Sequence, residues 1–279
     1  MTRNPRNRHS VGVGGWLHTF VALLTLAAWA PDALAGLSVE TLSMEKEAQP
    51  GESYDGSFAV TNDSDQPRTA LVYQTDYAFF SDGSNQFGEP GTLTRSNALW
   101  ISFSPRQVRV PPHQSVNISY RVKIPPDSTL RGTYWSMLMV EEAATEGDSV
   151  IHLKRGQLGI QQVVRYGIQC VTQIAGTGEE KLNLKDTRLV AVPNSGNELQ
   201  LDVENVGDRW AIPLAWMELY DEQGRHIGRF ESEKKRIYPG TSVRYRIQLN
   251  GMPGGKYKAL VVLDSGDKNV LGAKYDLEF

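Results

Sequence analysis

The sequence predicts an all-β protein built from two immunoglobulin-like β-sandwich domains in tandem. Three observations predict this fold. From residue 37 onward, short segments alternate between apolar and polar positions, and none has the 3.6-residue period of an amphipathic helix. Turns that contain proline or glycine separate these segments at the spacing of a sandwich. The polar, glycine-containing stretch at residues 175–180 divides the segments into two sets.

The first 35 residues have the parts of a secretory signal peptide. Three arginines precede an apolar run, and the small residues Ala33-Leu34-Ala35 follow it. The strongly apolar part, Phe20 to Ala30, is shorter than the roughly 20 residues that a membrane-spanning helix needs. We therefore expect cleavage after Ala35 and export of the mature chain.

Eight segments of the first domain, predicted to span residues 36–176, have a strand pattern. They are Leu37 to Met44, Ser57 to Asn62, Thr69 to Tyr77, Leu99 to Phe103, Val108 to Val110, Val116 to Ile124, Thr133 to Glu141, and a long strand from Leu158 to Ile174.

The second domain, predicted to span residues 177–279, also has eight strand segments. They are Leu182 to Val192, Glu198 to Asn205, Leu214 to Tyr220, Ile227 to Phe230, Arg236 to Tyr238, Val243 to Leu249, Lys256 to Leu263 and Val270 to Phe279. The polar stretch at residues 175–180 has no apolar face to bury, so we expect it, together with the polar insert Phe79 to Asn97, to be the most accessible part of the chain.

Charge argues against a nucleic-acid partner. Removal of residues 1–35 takes away three of 29 basic and one of 32 acidic residues, which leaves a net charge of about −5. The basic cluster of Lys234-Lys235-Arg236 with Arg244 and Arg246 is interpreted as a solvated strand face. The reason is that the apolar residues alternating with these arginines are predicted to point inward; they are Val243, Tyr245, Ile247 and Leu249. Cys170 is the only cysteine, so no intrachain disulfide can form, and its apolar neighbours predict a buried, inert thiol.

No catalytic or cofactor motif occurs in the sequence. After the signal, the histidines are His113, His152 and His226, which lie far apart and have no neighbour at metal-ligand spacing. There is no nucleophile-elbow pattern and no glycine-rich loop that opens a helix. We therefore expect no enzymatic activity, no metal ion and no cofactor.

The long strand is the segment that indicates a binding function. From Leu158 to Cys170 its even positions are mostly apolar, whereas its odd positions are mostly polar. Strands seldom exceed about 10 residues, so this one extends beyond its own sheet and leaves backbone groups unpaired. No charge, proline or bulge protects the edge from Leu158 to Val164, and such an edge templates pairing with another chain. The pattern therefore predicts strand addition to a partner.

Four segments, in order, resemble the first domain of periplasmic pilus chaperones of the PapD type. They are FAVTNDSDQP at residues 58–67, FSPRQVRVPPHQSVNISYR at 103–121, TYWSMLMVE at 133–141, and LGIQQVVRYGIQC at 158–170. The resemblance covers most of residues 37–175, and over residues 181–279 it is only architectural. It implies two immunoglobulin-like domains set at an angle, and a chaperone that lends the last strand of its first domain to an exported subunit.

The resemblance also implies roles for particular residues. Leu158 and Ile160, with Gln161 beside them, would enter the groove of the subunit, and Arg165 would bind the subunit's terminal carboxylate in the interdomain cleft. The family's second basic anchor, on the first strand, has no clear match here, and Lys46 is the cation nearest to its place. Without the resemblance, Leu158 and Ile160 read as ordinary core residues, and Arg165 as a surface cation that faces a cross-strand acid.

We therefore expect a periplasmic assembly chaperone whose partner is an exported protein subunit, pilin-like or another surface protein. An outer-membrane usher is a further partner that the resemblance allows. The long polar insert Phe79 to Asn97 and the acidic mature chain depart from the family pattern, so a second interpretation stays open. In it, the chain is a structural or adhesive module of the cell envelope that binds through such loops. An enzyme without a recognisable motif is a third interpretation.

Overall fold

The computed structural model describes residues 36–143, 164–193, 196–266 and 270–279. These residues form seventeen β-strands and one short 3₁₀ turn, Ala98–Trp100, and they contain no α-helix. The all-β prediction is confirmed. The predicted signal peptide and the residues Leu158, Ile160 and Gln161 lie outside the described residues. No described helix is long and apolar enough to cross a membrane.

The first sandwich contains ten strands in two sheets, in the orders β1-β3-β8-β6 and β2-β10-β9-β4-β5, and β7 also pairs with β4. Phe58, Ile118, Leu138 and Ile168, all fully buried, are among the residues that fill the core between the sheets. The strands are β1 Leu37–Val39, β2 Ser43–Ala48, β3 Ser53–Asn62, β4 Arg68–Phe79, β5 Asn85–Gly88, β6 Ile101–Ser104, β7 Gln107–Val110, β8 Ser115–Lys123, β9 Gly132–Glu142 and β10 Arg165–Ile174.

The first predicted strand is two strands that belong to different sheets. β1 pairs antiparallel with β3, whereas β2 pairs parallel with β10. The chain bends between them because the Thr41 hydroxyl donates to the carbonyl of Ser43 at 2.9 Å and accepts from its N–H at 3.3 Å. A continuous strand from Leu37 to Met44 is therefore wrong, since this local side-chain bonding replaces ladder bonds at the bend.

The polar insert is an ordered hairpin and loop. β4 turns back at Asp82-Gly83 into β5, a strand that the sequence pattern did not reveal. Asp76, which is 1% exposed, accepts bonds from the N–H groups of Gly91 and Leu93 and from the hydroxyl of Ser96. Because a buried carboxylate with several donors fixes the chain around it, the insert is more ordered than its polarity predicts.

The second sandwich contains seven strands in two sheets, in the orders β11-β12-β15 and β14-β13-β16-β17. Its core includes the fully buried Leu201, Met217, Tyr245 and Ile247. The strands are β11 Leu182–Val192, β12 Gly196–Asn205, β13 Leu214–Asp221, β14 His226–Glu231, β15 Ser242–Leu249, β16 Lys256–Asp264 and β17 Val270–Glu278. The predicted strand Arg236 to Tyr238 is wrong, because only a single bridge, between Ala211 and Ile237, forms there.

The connection between β10 and β11 is held against the second sandwich. The N–H of Val206 donates to the carbonyl of Lys181 at 2.7 Å, and the N–H of Asp208 donates to the carbonyl of Glu179 at 3.1 Å. The guanidinium of Arg209 donates to the carbonyl of Thr177 at 3.0 Å. The stretch at residues 175–180 is therefore a bonded connection and not a loose linker, and we propose that the domain boundary lies in it, at residues 176–177.

Candidate functional site

Within the described residues, strand β10 has one edge that is only partly paired. On one side it pairs with β9 along its whole length, and on the other side β2 pairs with it only from Gln169 onward. The N–H of Gln169 donates to the carbonyl of Leu42 at 2.9 Å, so the odd-numbered residues of β10 turn their main-chain groups toward β2. The N–H and C=O groups of Arg165 and Gly167 therefore face an edge that no described strand occupies.

The two faces of β10 differ as its sequence predicts. Ile168 is fully buried and Cys170 nearly so, and both belong to the core of the first sandwich. Burial raises the pKa of the Cys170 thiol to about 12, which keeps it protonated at neutral pH. The prediction of a buried cysteine is confirmed. On the opposite face, Val171 is also buried, because the second sandwich covers that part of the strand.

Arg165 lies on the outer face of the sheet, at the start of β10. Its Nε is 2.7 Å from a carboxylate oxygen of Glu141 on β9, and its side chain is 60% exposed. The same carboxylate accepts a bond from the hydroxyl of Tyr73 at 3.1 Å. Arg165 thus faces a cross-strand acid and keeps most of its side chain open to solvent. It lies four residues, about 13 Å along the strand, before Gln169.

Lys46 lies on the opposite face of the same sheet. It is the parallel partner of Thr172 on β10, and it follows Met44, which packs against the core of the first sandwich. Parallel partners and alternate residues share a face, so Lys46 points to the core side, where it lines a small opening beside Tyr54 and Tyr120. The structure does not bring Lys46 and Arg165 together.

The cation that reaches the outer face beside the end of β2 is Arg236, from the second sandwich. Its guanidinium donates to the hydroxyl of Ser43 at 3.0 Å and to the side-chain carbonyl of Gln169 at 3.4 Å, and it forms an ion pair with Glu45. It also lies 4.0 Å from the ring centroid of Trp210. Sequence analysis missed this residue, since no local pattern shows which distant strand a loop cation will meet.

The interpretation of the basic cluster as a solvated face is wrong for two of its arginines. The side chain of Arg236 is only 24% exposed, because it packs between the sandwiches. Arg244 makes two bonds, of 2.6 and 2.8 Å, to the carboxylate of Asp202 on the neighbouring strand. Such a planar, two-bond ion pair fixes the guanidinium in place, so Arg244 is not a freely solvated cation. Arg246, by contrast, is largely exposed.

An aromatic contact joins the two sandwiches next to Arg236. Tyr238 is fully buried, and its ring stacks on that of Trp135 with a centroid distance of 4.6 Å and on that of Trp210 at 6.2 Å. Its hydroxyl donates to the side-chain carbonyl of Gln169 at 2.5 Å. Burial raises the pKa of Tyr238 to about 12. The second sandwich therefore meets the first directly beside the Ser43–Gln169 pair, where the pairing of β2 with β10 begins.

The described residues contain no group of three or more His, Cys, Asp or Glu side chains placed to hold a metal ion. The arrangement at β10 consists of backbone donors and acceptors, one exposed arginine and the covering second sandwich. Such an arrangement can pair with an extended chain.

No protein-family profile and no curated protein sequence matches this chain. Among solved structures, a chain from a chaperone–tip adhesin complex of CFA/I fimbriae biogenesis is 11% identical, with a TM-score of 0.46 and coverage of 86% of this chain and 98% of that one. The class 5 fimbriae chaperone CfaA is 11% identical, with a TM-score of 0.45 and coverage of 86% of this chain and 98% of that one. A chain from the CsuC–CsuE chaperone–tip adhesion subunit complex of Acinetobacter baumannii is 12% identical, with a TM-score of 0.43 and coverage of 85% of this chain and 98% of that one. The chain is similar to these structures in fold, and the similarity concerns the fold alone.

Proposed function

We propose that this protein is a periplasmic assembly chaperone that binds an exported protein subunit by pairing its β10 edge, and the segment before it, with a strand of that subunit. The edge at Arg165 and Gly167, which no described strand pairs with, supports this proposal most directly. A β-strand edge with unpaired backbone groups is a template for another chain, and proteins that do not use such an edge normally block it.

The binding free energy would come from two sources. Each ladder hydrogen bond contributes a net of about 0.5–1.5 kcal/mol. Each apolar side chain that is well buried in the subunit, as proposed for Leu158 and Ile160, contributes about 1.5–3 kcal/mol. The two sources are of similar size, since two such side chains contribute about 3–6 kcal/mol and the four backbone groups of Arg165 and Gly167 about 2–6 kcal/mol. In the sequence, Gln161 lies between the apolar residues and Arg165.

The position of β2 favours one place for the end of the subunit strand. A strand that pairs with Arg165 and Gly167 lies in line with β2, on the same side of β10. If it runs parallel to β10, as β2 does, its carboxyl end comes next to Ser43. Arg165 lies about 13 Å along β10 from Gln169, the partner of Ser43. We therefore propose that its guanidinium binds a carboxylate along the paired strand and not at the strand's carboxyl end, because its planar fork can hold both oxygens.

A pair of substitutions tests this function. Leu158→Asp and Ile160→Asp should leave the melting temperature nearly unchanged and abolish retention of the subunit, because a charge would enter an apolar groove. Ile168→Asp is the control. Ile168 is fully buried in the first sandwich, so its replacement by a carboxylate should unfold the protein. The measurements are thermal melting and quantitative mass spectrometry of the protein that co-purifies from a periplasmic extract.

The proposal fails if Leu158→Asp lowers the melting temperature as much as Ile168→Asp and causes no separate loss of the co-purified protein. The long strand would then be only a core strand. Arg165→Ala should preserve stability and weaken retention. Arg165→Lys should restore retention only in part, because an ammonium cannot bond both carboxylate oxygens in the same plane.

We also propose that residues 1–35 are removed during export, so that the mature chain begins at Gly36. The order of basic residues, apolar run and Ala33-Leu34-Ala35 supports this. The intact mass of the protein from the periplasmic fraction tests it. A mass that includes residues 1–35, or recovery in the membrane fraction, would contradict it.

A further inference from the structure

We infer that Arg236 is a positioning residue for strand donation. It holds together the Ser43–Gln169 pair, where the pairing of β2 with β10 begins, and so fixes the boundary between the paired and the open part of the β10 edge. This inference rests on the proposed function and adds a role for the second sandwich. It concerns a residue that touches the two strands of the chain itself and not the subunit.

The end of β2 is a place where the pairing is easily changed. The pairing of β2 with β10 begins at Ser43 and Gln169, and the chain just before Ser43 bends at Thr41 toward the other sheet. In the same register, a straightened chain would continue the pairing and set Thr41 beside Gly167. Leu42, whose side chain is 59% exposed, would then face the core side with Ile168. Continued pairing of this kind would cover the edge beside Gly167.

Fraying is the opposite change. The first residues of a strand that has only one neighbour open most readily, because few bonds hold them. If Ser43 to Glu45 left β10, the boundary of the edge would move toward Val171. Either change would alter the number of backbone groups that an incoming strand meets.

Arg236 bonds to both members of the Ser43–Gln169 pair. One of its terminal nitrogens donates to Ser43 on β2 and to Gln169 on β10, and the other pairs with Glu45 two residues further along β2. A single rigid guanidinium thus joins the two strands across their end. Separation of the strands, or rotation of Ser43 into a straightened chain, would break these bonds.

The second sandwich holds Arg236 in place in turn. Its guanidinium lies over the ring of Trp210, and its backbone neighbour two positions on, Tyr238, is stacked on Trp135 of the first sandwich. The hydroxyl of Tyr238 donates to the same oxygen of Gln169 that Arg236 contacts. Because this oxygen has two donors from the second sandwich, the end of the pairing is set by contacts between the sandwiches and not by β2 alone.

Arg236→Gln and a matched control, Arg131→Gln, test the inference. Arg131 also bridges the sandwiches, through a 2.5 Å contact with Asp208, and its ion pair involves neither β2 nor β10. Amide hydrogen exchange of the free protein is the first readout. Arg236→Gln should speed exchange of the Gln169 and Val171 amides by about tenfold or more and leave Gln173 unchanged, whereas Arg131→Gln should alter none of the three.

Arg236→Lys is a second variant, for the case that Arg236→Gln does not fold. It keeps the positive charge beside the aromatic rings. It should show the same change in exchange at Gln169, because one ammonium cannot reproduce the planar fork. Unchanged exchange at Gln169 and Val171 in both variants would overturn the inference.

The second readout is retention of the protein that co-purifies with the unsubstituted chaperone from a periplasmic extract. Retention should fall severalfold for Arg236→Gln and stay at the original level for Arg131→Gln. Equal retention by both variants, with altered exchange, would refute a role in positioning. If the unsubstituted protein itself retains no partner, the proposed function fails, and the exchange result then stands as a finding about β2 alone.

Discussion

Replacement of Gly132 by alanine should weaken the contact between the two sandwiches. Gly132 has a φ of +72°, and a Cβ built on it would lie 1.8 Å from the carbonyl oxygen of Asp208. That oxygen accepts the N–H of Thr133 at 2.8 Å, and the hydroxyl of Thr133 accepts the N–H of Trp210 at 2.9 Å. An alanine at this position therefore has to displace the segment of the second sandwich that carries both bonds.

The expected loss follows from these contacts. A left-handed backbone costs about 1–2 kcal/mol for a residue with a Cβ. Loss of two hydrogen bonds adds about 1–3 kcal/mol. Gly224→Ala is the matched control, because Gly224 has a similar φ of +75° and no atom within 4 Å of its built Cβ. It should lose only the backbone part, about 1–2 kcal/mol.

Urea unfolding followed by tryptophan fluorescence measures the difference, since Trp135 and Trp210 lie at the contact and report its opening. Gly132→Ala should shift the midpoint of the fluorescence transition more than Gly224→Ala does. Equal shifts for the two variants would refute the reasoning, because they would show that backbone strain alone is felt and that Gly132 does not limit the approach of the second sandwich.

Two further predictions concern buried carboxylates. Asp76→Ala should expose the loop after β5, because the N–H groups of Gly91 and Leu93 in that loop lose their acceptor. Trypsin should therefore cut after Arg95 in the variant and not in the original protein. Equal cleavage of both proteins would contradict this. The pKa of the Asp202 carboxyl is held below its usual range, chiefly by the hydrogen bond from Arg244. A lowered folded pKa stabilises the protein above the unfolded value of about 3.9, and the effect is lost as the pH falls through the folded value. The stability difference between the original protein and Asp202→Asn should therefore be larger at pH 6 than at pH 3, and a constant difference would count against this role.

Much of the fold could be predicted because strand pattern is a local property. Leu182–Val192 begins and ends where the alternation predicts, and the inward positions Ile168 and Cys170 are buried. The division of the first predicted strand into β1 and β2 could not be foreseen in this way. It depends on which strands lie on either side, and both halves have the same alternating pattern. Strand β5 was missed because its four residues, Asn85–Gly88, are all exposed and carry no apolar face.

The candidate site was predictable only in part. The sequence indicates the strand and its polar face, since these follow from the period of two residues around Arg165. It does not indicate where β2 begins, and therefore not which part of the β10 edge β2 leaves open. Lys46 and Arg165 could not be assigned to opposite faces before the parallel register of β2 with β10 was known. Arg236 could be recognised only from contacts between segments almost 200 positions apart in the chain.

The backbone amides of β10 offer the most direct test of strand pairing at the free edge. Their hydrogen exchange is measured in the free protein and in the complex with the protein that co-purifies from the periplasm. The amides of Arg165 and Gly167 point to the open edge, whereas those of Tyr166 and Ile168 point to β9. We expect the first two to exchange rapidly in the free protein and to become protected in the complex, with little change at the other two. Exchange at Arg165 and Gly167 that is the same with and without the bound protein would contradict donation of this edge.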